Sequence, residues 1–218
     1  MRDLSGGPEL MSLNTATVRK QADLLGIIDA CARHRIAAIS PWRDQVAAVG
    51  LERAARAIKD AGLKLSGYCR GGLFPASGEH RAAARDDNRR AVDEAAALAA
   101  PCLILVAGGL PPFSRPGSTP SKDIAAARVL IEDGIARAGR ERRLLAYHVC
   151  DWLVPTKDML NDRGMMGDGV IDLPRIRAAV EAAGFAGFVE AEIFSERWWA
   201  EPIDTVLTTC IERHRTVV

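Results

Sequence analysis

Three stretches of the sequence combine residue types that can do chemistry: Ser40-Pro41-Trp42-Arg43, His148-Val149-Cys150-Asp151-Trp152 and Glu190-Ala191-Glu192-Ile193-Phe194-Ser195. Each lies at the end of a short apolar run, and in α/β folds ligands bind at the carboxyl ends of strands. Glu190 and Glu192 are two apart on a strand, so both point to the same side. Two carboxylates aimed into a sheet or barrel core are costly unless paired, solvated or bound to metal. One His and one or two Glu converging at a strand rim suit a divalent cation such as Mg²⁺, Mn²⁺, Co²⁺ or Zn²⁺. His148 by itself reads equally well as a satisfied rim residue. Arg163, next to Asp162, is placed either to clamp an anionic or hydroxyl-rich ligand or to stand solvated. His34 and His214 sit at helix C-terminal ends, where the dipole favours them.

These residues need a scaffold that aligns strand ends, and the apolar pattern supplies one. Short runs occur at Leu13–Thr15, Ile36–Ile39, Leu63–Tyr68, Cys102–Val106, Leu144–Val149 and Gly187–Phe194. Several are near-continuous in Leu, Ile and Val, as in a parallel sheet covered on both faces. Between them, Leu51, Ala54, Ala55, Ile58 and Ala61 recur at helical spacing, as do Ile203, Val206, Leu207, Cys210 and Ile211. Gly62 and Gly184 stand where helices end, and Asp172 with Pro174 marks the start of another. Asp86-Asp87 reads as the opening of a helix to about Ala100, and Ser121 as the cap of one to about Ala138. The alternation implies α/β with right-handed crossovers. No G-x-G-x-x-G follows the first strand and no phosphate-loop motif occurs, so common nucleotide-binding versions of the fold lack support.

Composition narrows the partners. The 218 residues are 48% hydrophobic and 26% charged, ordinary for a globular domain and unlike a disordered chain. A net charge of +1 gives no support to a nucleic-acid or membrane-surface protein. No apolar run reaches the roughly 18–20 residues of a membrane span, and the N-terminus has no apolar signal region. The five cysteines are odd in number and form no C-x-x-C, which favours a reducing cytoplasm.

Taken in order, His148-x-x-Asp151-Trp152, Asp162-Arg163, Gly167-Asp168-Gly169-x-Ile171-Asp172 and Glu190-x-Glu192-Ile193-Phe194 resemble the sugar phosphate isomerase/epimerase family, among the xylose-isomerase-like TIM barrels. Leu13-Asn14-Thr15, Ile39-Ser40-Pro41-Trp42 and Asp87-Asn88-Arg89-Arg90-Ala91 agree, so the resemblance covers nearly the whole chain. It implies a divalent metal (Mn²⁺, Mg²⁺ or Co²⁺) held by two Glu, an Asp and a His. It also implies proton transfer α to the carbonyl of a small keto sugar, sugar acid or polyol derivative. By position His148 and Glu192 match metal ligands, with Glu190 the fallback for Glu192. Glu192 also matches a catalytic acid–base, and Arg163, Trp42 and Asp151 stand where a carbohydrate would bind.

The sequence departs from that family in strand count. Only six strand-like runs are present, whereas a (β/α)₈ barrel typically needs about 250 residues. The reading is a single domain over residues 1–218, a TIM-barrel-like parallel barrel lacking its fifth and sixth strand–helix units, with an internal deletion near 134–143. The other Glu and the Asp of the family's metal site belong to those units. Weak metal binding, little or no epimerase turnover, and a gapped barrel or homo-oligomerisation through the gap are therefore expected. The alternative is a catalytically impaired remnant that binds a ligand or partner. A nuclease on the same barrel type would need a histidine-rich zinc cluster and a basic groove, which four scattered histidines and a charge of +1 do not provide.

Overall fold

The computed structural model describes residues 2–72, 79–106 and 144–218. Its first part runs β1 (Met11–Asn14), α1 (Leu24–Arg33), β2 (Ala38–Ser40), α2 (Arg43–Val49), α3 (Leu51–Asp60), β3 (Lys64–Leu65), β4 (Tyr68–Gly72), α4 (Glu79–Ala97) and β5 (Leu103–Val106). The second part runs β6 (Tyr147–Val149), β7 (Asp151–Trp152), β8 (Arg163–Gly164), α5 (Leu173–Ala182), β9 (Val189–Ala191), α6 (Glu196–Trp199) and α7 (Ile203–Thr216).

Five strands form one parallel sheet in the order β3-β2-β1-β9-β6. β4 pairs in parallel with β5, and a parallel bridge from Trp42 to Cys69 joins β4 to the extension of β2. β3 and β4 are thus two halves of the single run expected at Leu63–Tyr68, interrupted at Ser66-Gly67. Read around, the strands give six consecutive positions of a parallel barrel, as the apolar pattern implied.

Among the described residues the ring is not closed. β5 pairs only with β4, and β6 only with β9. Leu105 next to one edge is 53% exposed and Leu145 next to the other is 63% exposed. The chain between these edges, with the deletion inferred near 134–143 and the helix read from Ser121, lies outside the described residues. No described helix is long and apolar enough to cross a membrane.

The sequence explains most element boundaries. Asp23 caps α1, its carboxylate accepting from the Gly26 N–H at 2.9 Å. Asp172 caps α5 as read from sequence, accepting from Arg175 N–H at 3.3 Å. Gly62 and Gly184 adopt φ of 70° and 78°, the left-handed conformation that ends α3 and α5. One start is corrected: α4 begins at Glu79, and Asp86-Asp87 lie inside it. There they pair forward with Arg89 and Arg90, and Asp87 also reaches Arg43, so ion pairing rather than the dipole accounts for this acid. His214 is in the last turn of α7, but it is buried, donating from Nδ1 to the Gly6 carbonyl at 3.0 Å.

The outer layer of the core forms where α1 and α7 lay Ile27, Cys31, Val206, Leu207 and Cys210 against Met11, Leu13 and Ile39. Leu207 is completely buried there. Truncating it leaves a cavity in a close-packed layer, so Leu207→Ala is expected to cost about 2–5 kcal/mol in urea denaturation. A loss under about 1 kcal/mol would show that α7 does not close the core.

Candidate functional site

The inner face of this sheet is polar. In β1 the outward Met11 and Leu13 alternate with the inward Ser12 and Asn14, and all four are buried. β9 sends Val189 and Ala191 outward and Glu190 inward, directly beside His148 in the β6–β9 register. The Glu192 N–H donates to the Val149 carbonyl at 3.0 Å, which continues the ladder one step toward the rim.

Glu190, only 1% exposed, is held from several sides. Asn14 Nδ2 donates to one carboxylate oxygen at 2.8 Å and Ser66 Oγ to the other at 2.7 Å. Ser12 Oγ lies 2.6 Å from Ser66 Oγ. Trp42 Nε1 donates to Asn14 Oδ1 at 2.7 Å, which orients the amide that holds Glu190.

His148 sits between the two carboxylates. Its Nδ1 lies 2.9 Å from Glu192 Oε2 and its Nε2 lies 3.3 Å from Glu190 Oε1. The pair His148–Glu192 therefore meets at the rim, as the strand ends implied. Burial is the largest single influence on His148 and disfavours its imidazolium. The hydrogen bond to Glu192 and the charges of Glu190 and Glu192 together outweigh it, so the pKa is raised. Glu192 keeps a side chain 25% exposed, while Glu190 is committed below it.

The other expected residues divide. Trp42 reaches the mouth: its ring meets Phe194 edge-on at 5.6 Å between centroids and lines a cavity of ≈ 360 Å³ with Cys69, Arg19 and Arg70. Arg163 lies in β8, which pairs antiparallel with β7, and its backbone N–H donates to the Phe194 carbonyl at 2.9 Å. Its guanidinium stacks 4.3 Å from the Trp152 ring centroid, so it is neither simply solvated nor bonded to a carboxylate among the described residues. Asp162 is turned into the loop, accepting from Lys157 N–H at 2.7 Å.

Asp151, expected at the carbohydrate site, is completely buried elsewhere. Its carboxylate accepts the backbone N–H groups of Trp152, Gly167 and Ile171 at 2.8–2.9 Å, so both oxygens are engaged with backbone and closed off from solvent. It organises the loop that carries Met165 and Met166 into the core. Asn14, Ser66 and Arg70 were missed from sequence. The available signal was the polar residue at every second place of Ser12-Leu13-Asn14.

No group of three His, Cys, Asp or Glu side chains that could hold a metal occurs among the described residues. His148 and Glu192 offer two donors at the mouth, and each Glu190 oxygen below them accepts a hydrogen bond, from Asn14 and from Ser66. A mononuclear site normally keeps three protein ligands. The described residues therefore do not complete one.

Two outcomes follow. Because its pKa is raised, the His148 contribution to stability is fully present below the unfolded value, about 6.5, and is lost as pH rises through the folded value. NMR titration should give His148 a pKa above 6.5, falling in Glu192→Gln; a value below 6.5 in the parent chain would contradict the pairing. Asp151→Ala leaves three N–H groups without their acceptor and should cost about 1–3 kcal/mol in the same denaturation assay. A neutral result would show that the loop holds itself.

Comparison with known proteins bears on this arrangement. The family described as xylose isomerase-like TIM barrel matches residues 123–210. A solved structure, protein SMc04130 from Sinorhizobium meliloti 1021, is 44% identical with a TM-score of 0.83, covering 96% of this chain and 98% of its own. IolI, solved with a bound zinc atom, is 14% identical with a TM-score of 0.74 over 95% of this chain and 97% of its own. The 3-keto-D-glucoside 4-epimerase YcjR from E. coli is 13% identical with a TM-score of 0.57 over 94% of this chain and 98% of its own. At these low identities the last two show a shared fold. Comparison with curated proteins finds no match. The overlap with SMc04130 and the family match agree with the parallel strand order and the rim pair His148–Glu192: the chain belongs to the xylose isomerase-like TIM-barrel family.

Proposed function

We propose that this chain handles a proton α to the carbonyl of a small keto sugar, sugar acid or polyol derivative, in the manner of a sugar isomerase. The observation that carries the reading is the partly exposed Glu192 carboxylate held 2.9 Å from His148 at the mouth of the strands. Glu192 removes the α proton, the C–H electron pair forms the C=C bond of an enediolate and the carbonyl π pair moves onto oxygen; for isomerisation Glu192 returns the proton to the neighbouring carbon while the hydroxyl proton passes to the former carbonyl oxygen and the new carbonyl forms. His148 orients the carboxylate through the bond at Nδ1. Glu190 is set back from the mouth, buried and with a hydrogen bond to each oxygen, so Glu192 is the carboxylate available to substrate. With one available carboxylate the proton returns to the face it left, which permits exchange and isomerisation and works against epimerisation.

A divalent cation (Mn²⁺, Mg²⁺ or Co²⁺) belongs to this reading as a weakly held cofactor, because the described donors fall short of three. A cytoplasmic setting fits the five cysteines, all of which are free. One domain over 1–218 without its fifth and sixth units, and association of copies through the open edges, complete the proposal. A second reading, ligand binding without turnover, is favoured by the incomplete donor set.

D-fructose incubated with the chain and Mn²⁺ in D₂O separates the two. The expected result is slow incorporation of deuterium α to the carbonyl with little inversion, lowered about 10²–10⁴-fold in Glu192→Gln. Sugar binding with no deuterium incorporation establishes the second reading. Exchange that survives in Glu192→Gln, or fast inversion, contradicts the assigned roles.

A further inference from the structure

The pairing of β1 with β9 gives out just below the mouth. Its register ends at Leu13 opposite Ala191. Past that point Asn14 Oδ1 accepts the Ala16 N–H at 3.1 Å, and the chain winds into a single 3₁₀ turn over Thr15–Val18. The residues after Ala191 therefore have no paired β1 backbone beside them. Alternate peptide groups of a strand point to its two neighbours, and each needs a partner when buried. On the β6 side the Glu192 N–H finds one in the Val149 carbonyl. On the β1 side the Ala191 carbonyl and the Ile193 N–H are left over, on residues only 1% and 0% exposed.

One side chain meets both. The Thr17 hydroxyl donates to the Ala191 carbonyl at 3.1 Å and accepts the Ile193 N–H at 3.0 Å. A hydroxyl has one proton to give and lone pairs to receive, so the two bonds do not compete. Thr17 is itself completely buried. The turn that presents it is anchored: Trp199 Nε1 donates to the Ala16 carbonyl at 2.9 Å, and Gln21 Nε2 to the Trp198 carbonyl at 2.8 Å. These bonds tie the turn to α6, the helix that follows the Glu192 segment.

The two groups that Thr17 holds flank Glu192 in the chain. With Val149 on one side and Thr17 on the other, the backbone that carries the Glu192 side chain is fixed from both directions. A fixed backbone keeps its carboxylate 2.9 Å from His148. A slide of about 1 Å is enough to spoil such a bond and the reaction that depends on it.

We propose that Thr17 is a positioning residue for Glu192: its hydroxyl replaces the missing β1 partner and sets where the reactive carboxylate stands at the mouth. The inference rests on the reading of Glu192 as the group that handles the proton, and it adds a buried residue that acts only through the backbone.

Three variants test it, each checked for folding by circular dichroism. Thr17→Val keeps the shape and removes the hydroxyl, Thr17→Ser keeps the hydroxyl, and Leu207→Val weakens the outer layer of the core. Amide hydrogen exchange at Ile193 should be at least about 10-fold faster in Thr17→Val and near the parent rate in Thr17→Ser. The NMR signal of His148 Nδ1 should move in Thr17→Val and stay in place in the other two. With D-fructose and Mn²⁺ in D₂O, Thr17→Val should lower kcat for deuterium incorporation about 10–100-fold at unchanged KM, and Thr17→Ser should recover most of it. If Thr17→Val does not fold, Thr17→Cys, whose thiol bonds weakly, is read in its place against Thr17→Ser. An unaltered Ile193 amide, or an unaltered His148 signal, in the folded variant overturns the proposal. The same losses in Leu207→Val also overturn it, because they would follow from lowered stability alone. A parent chain that incorporates no deuterium removes the proton-handling reading, and the His148 signal then decides by itself whether Thr17 places the carboxylate.

Discussion

A carboxylate inside a parallel barrel must be solvated by the protein itself, because the effective penalty for an unpaired buried ion is several kcal/mol. Glu190 is such a group, and much of the inner architecture is arranged around it. Asn14 and Ser66 each donate to one of its oxygens, and His148 approaches from β6. These residues come from four different segments of the sheet, so satisfying Glu190 also sets the register among them. Ser12 and Trp42 extend the network one bond further, to the bottom of the interior and to the mouth. A polar network of this kind is valuable when complete and damaging when broken.

The fixed carboxylate defines what the free one can do. Glu190 and Glu192 are two residues apart on one strand, roughly 6–7 Å along its axis. That single step separates a group locked by neighbours from one that reaches the mouth. His148 lies against both, and both charges favour its protonated form, which in turn orients the carboxylate above. The Asp151 carboxylate does a comparable job for the loop after β6, using backbone N–H groups in place of side chains. One acid in this region reaches the mouth, while two others hold its surroundings in place.

Much of this was legible in the sequence. The six apolar runs, the helix stop at Gly184 and the Asp172 cap depend on local chemistry, and each stands where local chemistry put it. The meeting of His148 and Glu192 followed from their places at strand ends. Alternation also placed Glu190 and Glu192 on one side, but it could not say which lay below the rim, since depth depends on partner register. The role of Asp151 was hidden because its three donors come from Trp152, Gly167 and Ile171, up to 20 residues away. The start of α4 was misread because Asp86 and Asp87 resemble a helix opening, and their pairing with Arg43 and the following arginines is visible only once the chain is folded.

The central claim is that His148, its pKa raised by its carboxylate neighbours, is coupled to Glu192 through the β6–β9 register. A double-mutant cycle of His148→Gln and Glu192→Gln, read by urea denaturation at pH 6 and again at pH 9, addresses it directly. The account predicts a coupling of about 1–3 kcal/mol at pH 6 that shrinks at pH 9 as the imidazole loses its proton. Additive losses at both values would mean that the two side chains are neighbours without being partners.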